Sequence, residues 1–513
     1  MSVSNPPVNQ GVAAADRELP VSSLLLLTLC FVLSGLAALV YQTAWTRQFA
    51  LVFGTSELAV ATVLAAYMAG LALGAALVER WLPRVRRPVL TYAILELGIA
   101  ISAVLLVPLC IWLSNTLLQA FFGGQPAPPS SDQVGTSLFY LLGAFAALVL
   151  PTTLMGATLP LLARHAVQDE RQIGRRIGLL YAANTAGAVG GALLTAFILL
   201  PLLGLNLTVW TAAALNALVF LLAVFLARGS SPMAADAATL ERVRFRFRTA
   251  PDGTWVLPLM LLAGAVAFFH EVLWSRMLSH VLGSSIYAFG VMVASFLTGI
   301  ALGGALGAGL ARTRERAAMA LGIALILAAI AAAGAFLMLE RLIPTSTGLL
   351  QNVTSVLGVQ IPLNTLFAGG LLLPMTICIG ATYPLAVRIL ATTANDAAPA
   401  SARVYAWNTV GAILGSLAAG FWLIPALRYE GAIRLAVIVG ALLGVLALWL
   451  LVRPRRVIAG LGTVAAALVV VLFQPRSPTK LLVTSPLQID SSGKVLFYEI
   501  GRASCRERVC SVV

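Results

Sequence analysis

Charge is what this chain has least of. Only 10% of its 513 residues are Asp, Glu, Lys or Arg, against 60% hydrophobic, and the mean hydropathy is +0.96. A soluble protein of that length needs far more charge to cover its surface, so a soluble globular fold is excluded. Cysteine is also scarce. Cys30, Cys110 and Cys378 sit inside apolar runs without pairing or ligand spacing, which leaves them as small packing residues. Cys505 and Cys510 lack the C-x-x-C spacing and have no histidine nearby, so no metal site is expected. Acidic residues number 19 against 33 basic ones, a net charge of +14. Those arginines are spread over short loops, and nucleic acid is therefore not an expected partner. No glycine-rich nucleotide turn with a following acidic residue occurs, so no cofactor and no catalytic residue is assigned. The N-terminal segment lacks a basic region leading directly into an apolar one and reads as a polar tail, not a cleaved signal peptide.

What the chain has in abundance is apolar runs near the roughly 20 residues needed to cross a bilayer, such as Val21–Val40, Ala59–Val78 and Ala317–Leu339. The expected fold is an all-α polytopic membrane protein of twelve transmembrane helices in two homologous six-helix halves, with a thirteenth hydrophobic segment. The divisions are a cytoplasmic tail at 1–20, a first half at 21–228, a cytoplasmic linker at 229–253, a second half at 254–452 and the extra segment at 453–473. Spans nine and ten are expected at 317–340 and 364–390, with Ile343–Leu363 as a long loop. Gln125–Gly135 reads as another.

Arginines set the orientation. Arg80, Arg84, Arg86 and Arg87 follow span two, Arg164, Arg171, Arg175 and Arg176 follow span four, and the even-numbered spans of the second half repeat the bias. Alternate loops hold little beyond Arg47, Arg276, Arg341, Arg428 and Arg434. The expectation is a multi-pass protein of a bacterial inner membrane with a cytoplasmic N-terminus. The thirteenth segment then carries residues after 474 to the opposite side.

The halves are an internal duplication. Gly35–Leu77 aligns without a gap on Gly264–Leu306 at a shift of 229, with 15 of 43 pairs identical. Apolar composition alone would give about four or five. A second block repeats at a shift of 224, where GATLP from Gly156 and YAANTAGAVGG from Tyr181 match GATYP from Gly380 and YAWNTVGAILG from Tyr405. Trp45 and Trp274 should therefore coincide when the halves are superposed.

Gly70 and Gly74, repeated as Gly299 and Gly303, have the four-residue spacing of close helix packing; substrate lining is the rival reading. Tyr181 with Asn184, and Tyr405 with Asn408, each share a helical face. An amide in hydrocarbon either ties two helices together or lines a polar cavity, and both readings stand. Pro151, Pro160, Pro374 and Pro384 interrupt spans four and ten. Glu96 falls mid-span without an acidic counterpart, and His270 and Glu271 stand where the first half has Tyr41 and Gln42. Ionisable groups at membrane depth are candidates for transport, with buried structural pairs, such as Glu271 with Arg276, as the alternative. Glu96, Tyr181, Asn184, Tyr405 and Asn408 are expected to face the bundle interior.

SGLAALVYQTAWTRQFALVFGTS from Ser34, VLAAYMAGLALGAAL from Val63, VLPTTLMGATLPLLAR from Val149 and AFFHEVLWSRMLSHVLGSSIYAF from Ala267 resemble the membrane portion of fused major-facilitator/spermidine-synthase proteins. That resemblance, over about Ser34 to Val452, implies an appended Rossmann-like domain that moves aminopropyl groups from decarboxylated S-adenosylmethionine to putrescine. KVLFYE, Lys494–Glu499, resembles its opening strand, so 474–498 reads as the start of a synthase domain that is otherwise missing. None of that family's catalytic residues can be placed on this chain. The composition turns abruptly at Glu499, and 499–513 resembles translated adapter sequence; a non-native tail without a partner surface is expected to be disordered. The function implied is a membrane bundle that anchors the enzyme or moves polyamines or related small metabolites. The alternative is a stand-alone major-facilitator-type secondary transporter. The partners are the lipid bilayer and a small molecule, and no oligomeric state is implied.

Overall fold

The computed structural model describes residues 21–53, 57–121, 134–229, 253–282, 286–357, 360–452, 456–478, 494–499 and 508–512. The expected tail at 1–20 and nearly all of the expected linker lie outside them. The first half comprises α1 (Val21–Phe53), α2 (Glu57–Trp81), α3 (Pro88–Phe121), α4 (Val134–Ala166), α5 (Ile173–Leu194) and α6 (Leu200–Arg228). The second comprises α7 (Val256–Leu282), α8 (Ile286–Leu310), α9 (Arg314–Leu357), α10 (Gln360–Leu390), α11 (Ala397–Ala418) and α12 (Ile424–Leu451). Helices are what apolar runs must form in lipid, where every backbone group has to be satisfied within its own segment.

Among the described residues ten continuous helical stretches are long and apolar enough to span a membrane, and two of these, Glu170–Arg228 and Ala394–Leu451, are of double length. Eight single and two double stretches make twelve spans. Each double stretch is broken at the same place. Thr195–Leu199 and Ala419–Leu423 are π-helical turns, followed by Pro201 and Pro425. Proline has no N–H to bond the carbonyl four residues back, so the ladder widens there. Three residues on, Gly204 and Arg428 both have positive φ, +71° and +58°. Glycine adopts that conformation freely, whereas a residue with a Cβ is strained there by about 1–3 kcal/mol. Arg428→Gly should therefore be more stable than Arg428→Ala, which removes the same side chain but keeps the strain, by about 1–2 kcal/mol. Thermal unfolding in detergent measures the difference, and equal midpoints would remove the strain argument.

The expected loop Ile343–Leu363 is corrected. α9 continues to Leu357 and α10 begins at Gln360. The polar stretch that suggested a loop extends the helix beyond its apolar part, since helices end where caps or breakers stop them and not where hydropathy falls.

The two halves pack alike. α1 pairs with α5, α2 with α4 and α3 with α6, as α7 pairs with α11, α8 with α10 and α9 with α12. Glycines mark the same approaches in both. A Cβ on Gly187 would land on the Val32 carbonyl, and one on Gly411 on the Leu261 carbonyl. Gly70 and Gly299 likewise abut the hydroxyls of Thr152 and Thr376. Trp45 and Trp274 are each fully buried in the core of their own half. Between halves, α5 packs on α8 and α2 on α11. At the end of the bundle that carries the arginine-rich loops, one core is shared, with Leu82 and Ile177 beside Ala311, Tyr383 and Ala402.

α13 (Arg456–Leu472) packs against α12 and α9, and Val457, Leu461, Val464, Leu468 and Val471 form an exposed stripe along its outer face. At its end Phe473 meets Phe336 edge-on at 6.2 Å, and Ser477 Oγ donates to Glu430 Oε1 at 2.8 Å. Both partners lie in the half of their helices remote from the arginine-rich end, so α13 crosses the bundle.

β1 (Lys494–Glu499) forms where a strand was expected. Of the tail expected to be disordered, Arg508–Val512 departs from that expectation: as β2 it pairs antiparallel with β1, Glu499 opposite Arg508 and Lys494 opposite Val512, while 500–507 lie outside the described residues. RVCSV, with two β-branched valines, can satisfy the exposed edge of KVLFYE.

Candidate functional site

The sequence candidates divide among four places. The first is the seam between halves at the arginine-rich end. Tyr181 on α5 stacks on Tyr383 of α10, with ring centroids 4.5 Å apart at 29°. Tyr383 meets Tyr405 of α11 edge-on at 6.3 Å. Its hydroxyl lies 2.7 Å from Ser401 Oγ, which fixes the ring. Beside this stack Arg403 of α11 pairs with Glu79 of α2. Sequence reasoning missed Tyr383, Glu79 and the pairing role of Arg403. One signal was available: Tyr383 replaces Leu159 where GATYP otherwise copies GATLP.

The seam's two edges differ. On one, α2 and α11 are joined by the Glu79–Arg403 ion pair. On the other, α5 and α8 touch through apolar atoms, with Gly178 against Ala308, and Gly174 meets Ala311 just past the end of α8. Position for position, the duplication carries Glu79 onto Ala308 and Arg403 onto Leu179.

The second place is the α1–α5 contact. Asn184 Nδ2 donates to the Phe31 carbonyl at 3.1 Å, tying the two helices together. Its mate Asn408 is half-buried beside Gly264 on α7, and no hydrogen bond from its side chain forms among the described residues.

Third, Glu96 on α3 is wholly buried inside the first half. Ser34 Oγ of α1 donates to its Oε1 at 2.6 Å, and Asn216 Nδ2 of α6 donates to its Oε2. Tyr92, one turn earlier, donates to the Cys30 carbonyl at 3.3 Å. The second half has nothing comparable. Ser34 and Asn216 correspond to Ala263 and Gly440, and α9 carries no polar side chain between Arg316 and Glu340. The group therefore links three helices of one half and lies away from the seam.

Fourth is the central part of α7. His270 is buried with Nδ1 unpartnered. Glu271 makes no hydrogen bond or ion pair among the described residues, so the Glu271–Arg276 pair that stood as the alternative reading does not form. Arg276 instead reaches the Gly420 carbonyl in the π turn at 3.4 Å. Gly70, Gly74, Gly299 and Gly303 are all spent on close packing of α2 on α4 and α8 on α10. Among the described residues no three His, Cys, Asp or Glu gather as metal ligands.

No family model and no curated protein sequence matches the chain. Solved structures do. A bacterial homologue of the iron transporter ferroportin in an outward-facing state matches with TM-score 0.52 and 14% identity, covering 83% of this chain and 98% of that one. The E. coli fucose:proton symporter matches with TM-score 0.52 and 14% identity, over 84% and 98%. A proton:xylose symporter of the major facilitator superfamily matches with TM-score 0.50 and 14% identity, over 85% and 97%. At such identities the likeness is one of fold: two six-helix halves of major facilitator type in a multi-pass membrane protein.

Proposed function

We propose that the chain is a secondary transporter of a small molecule, working by alternating access between its halves. The observation that carries this reading is the seam. A stacked tyrosine cluster and the Glu79–Arg403 ion pair bridge two bundles of the same internal packing at the arginine-rich end, a closure that rigid-body rocking can make and break. The arginine bias supports a cytoplasmic location for that end, in a bacterial inner membrane with the N-terminus inside.

Introducing cysteine at Ser401, which is buried at the seam, reports its opening to a membrane-impermeant maleimide. Glu79 and Arg403 are each partly exposed, so their pair is worth about 0.2–1 kcal/mol after solvent screening. Glu79→Ala or Arg403→Ala should raise labelling by about 1.5- to 5-fold, the population shift that energy allows. The swap Glu79→Arg with Arg403→Glu should restore it. Labelling that ignores all three variants would remove the gate from the mechanism.

A second reading rests on β1, the strand Lys494–Glu499 that resembles the opening of a synthase domain. On it the bundle anchors a spermidine-synthase-like domain or moves polyamines. Against it stands the direction of α13, whose end at Phe473 meets Phe336 remote from the arginine-rich end, whereas a methionine-derived cofactor would be met on the cytoplasmic side. This chain is expected to form no spermidine from decarboxylated S-adenosylmethionine and putrescine; spermidine formation would reverse the order of the two readings.

A further inference from the structure

The two π turns leave the same group unsatisfied. In Ala419–Leu423 the Ile424 N–H reaches back to the Ala419 carbonyl, and in Thr195–Leu199 the Leu200 N–H reaches the Thr195 carbonyl. The next carbonyl, of Gly420 or Ala196, has thereby lost its α-helical donor. The following residue that a widened turn would offer it is Pro425 or Pro201, which has no N–H. Each joint thus holds one backbone carbonyl without a donor from its own helix, a group for which a packed protein finds a partner elsewhere.

Among the described residues only the second half supplies that partner. Arg276 of α7, itself buried, donates to the Gly420 carbonyl at 3.4 Å. One turn on, His280 Nε2 lies 3.3 Å from the Tyr429 hydroxyl, with the two rings edge-on at 6.0 Å. Ser477 donates to the neighbouring Glu430. The first half has none of these ties. Arg47 and Leu51, at the positions of Arg276 and His280, are exposed, and Leu205 and Asn206 stand for Tyr429 and Glu430. The Thr195 hydroxyl, beside the open Ala196 carbonyl, turns back to Gly191 O at 2.7 Å. Both joints sit on the seam at the end remote from the arginine-rich loops. Thr195–Leu199 touches α8, where Gly290 lies against Ala196, and Ala419–Leu423 touches α2.

We infer that Arg276 is a positioning residue that locks α11 and α12 into one rigid lever, so that the remote end opens by bending at the α5–α6 joint. The guanidinium stands in for the N–H that Pro425 lacks and stiffens the second joint. The open carbonyl of Ala196 and the positive φ of Gly204, which glycine adopts freely, leave the first joint able to bend. The inference rests on the transporter reading and adds to it which joint moves.

Hydrogen–deuterium exchange of the full chain in nanodiscs reads both joints. Amides of 426–430 should exchange more slowly than those of 202–206 by about tenfold, the scale of one unmade buried hydrogen bond. Arg276→Ala should erase the difference, and Arg276→Lys should keep part of it. Pro425→Ala returns an N–H to the Gly420 carbonyl, so adding it to Arg276→Ala should restore the protection. Lost packing alone would not be rescued by a change on another helix. If Arg276→Ala does not accumulate, recovery of folded protein in the double variant replaces exchange as the readout. In Glu79→Ala, which loosens the seam, exchange should change at 202–206 and not at 426–430. Equal exchange at the two joints, indifference to Arg276→Ala, a double variant without rescue, or a Glu79→Ala response at 426–430 would each overturn the inference. Labelling at position 401 that still responds to the Glu79–Arg403 pair would leave the transporter reading standing after such a failure.

Discussion

Gly187→Ala and Gly411→Ala each prevent the chain from accumulating as a folded, monodisperse protein. Each added Cβ would strike the backbone carbonyl of the partner helix, Val32 on α1 or Leu261 on α7. A carbonyl cannot swing aside as a side-chain tip can, so the two helices must part along the contact. Lipid offers no hydrophobic drive to hold helices together, and a parted pair loses the dispersion contacts on which it depended. The expected cost is about 3 kcal/mol or more, at the upper end of overpacking. Gly309→Ala and Gly334→Ala are the controls. A Cβ at either meets nothing within 4 Å, and the gain in helix propensity should stabilise by about 0.5–1 kcal/mol. Fluorescence-detected gel filtration with a thermal ramp separates the pairs. If all four variants behave alike, close backbone approach does not hold these helices together.

Glu96→Leu should be the most destabilising single change within the first half outside the glycines. It strands the Ser34 hydroxyl and the Asn216 amide without an acceptor in a dry interior, at about 1–3 kcal/mol for each buried donor. The duplicated half shows that the fold does not need the polar group, since its corresponding positions are apolar. The triple variant Ser34→Ala, Glu96→Leu, Asn216→Ala should therefore recover most of the loss, as apolar replacements of whole buried polar groups commonly do. Asn216 Oδ1 has no partner even in the native group, which adds to the expected recovery. Thermal midpoints of the single and triple variants decide it. A triple variant less stable than Glu96→Leu would mean that the group does more than link α1, α3 and α6.

Much of this architecture was legible in the residues because two signals add. Apolar runs of membrane length give the spans, and the repeat at shifts of 229 and 224 gives their pairing, down to Gly187 with Gly411. What stayed hidden depends on contacts between distant positions. Glu96 stood out as a mid-span acid, yet its donors lie 62 and 120 residues away and carry no local mark. Glu79 and Arg403 lie 324 residues apart and carry no local mark of a pair, and only the packing of α2 on α11 brings them together. Tyr383 was masked by the duplication itself, since a motif repeated with one change reads first as a repeat. The end of α9 was misplaced because hydropathy reports where a helix leaves lipid and not where it stops.

For the alternating access proposed above, the unlike edges of the seam make a door and not a symmetric clamp. The α5–α8 edge meets through glycine and alanine at van der Waals contact, without directional bonds, so it can roll through small angles as a hinge does. The α2–α11 edge carries the Glu79–Arg403 pair, a latch that is either fastened or free. An opening movement should swing about the apolar edge, displacing α11 from α2 by more than α8 from α5. Raised ionic strength should ease the latch and leave the hinge untouched.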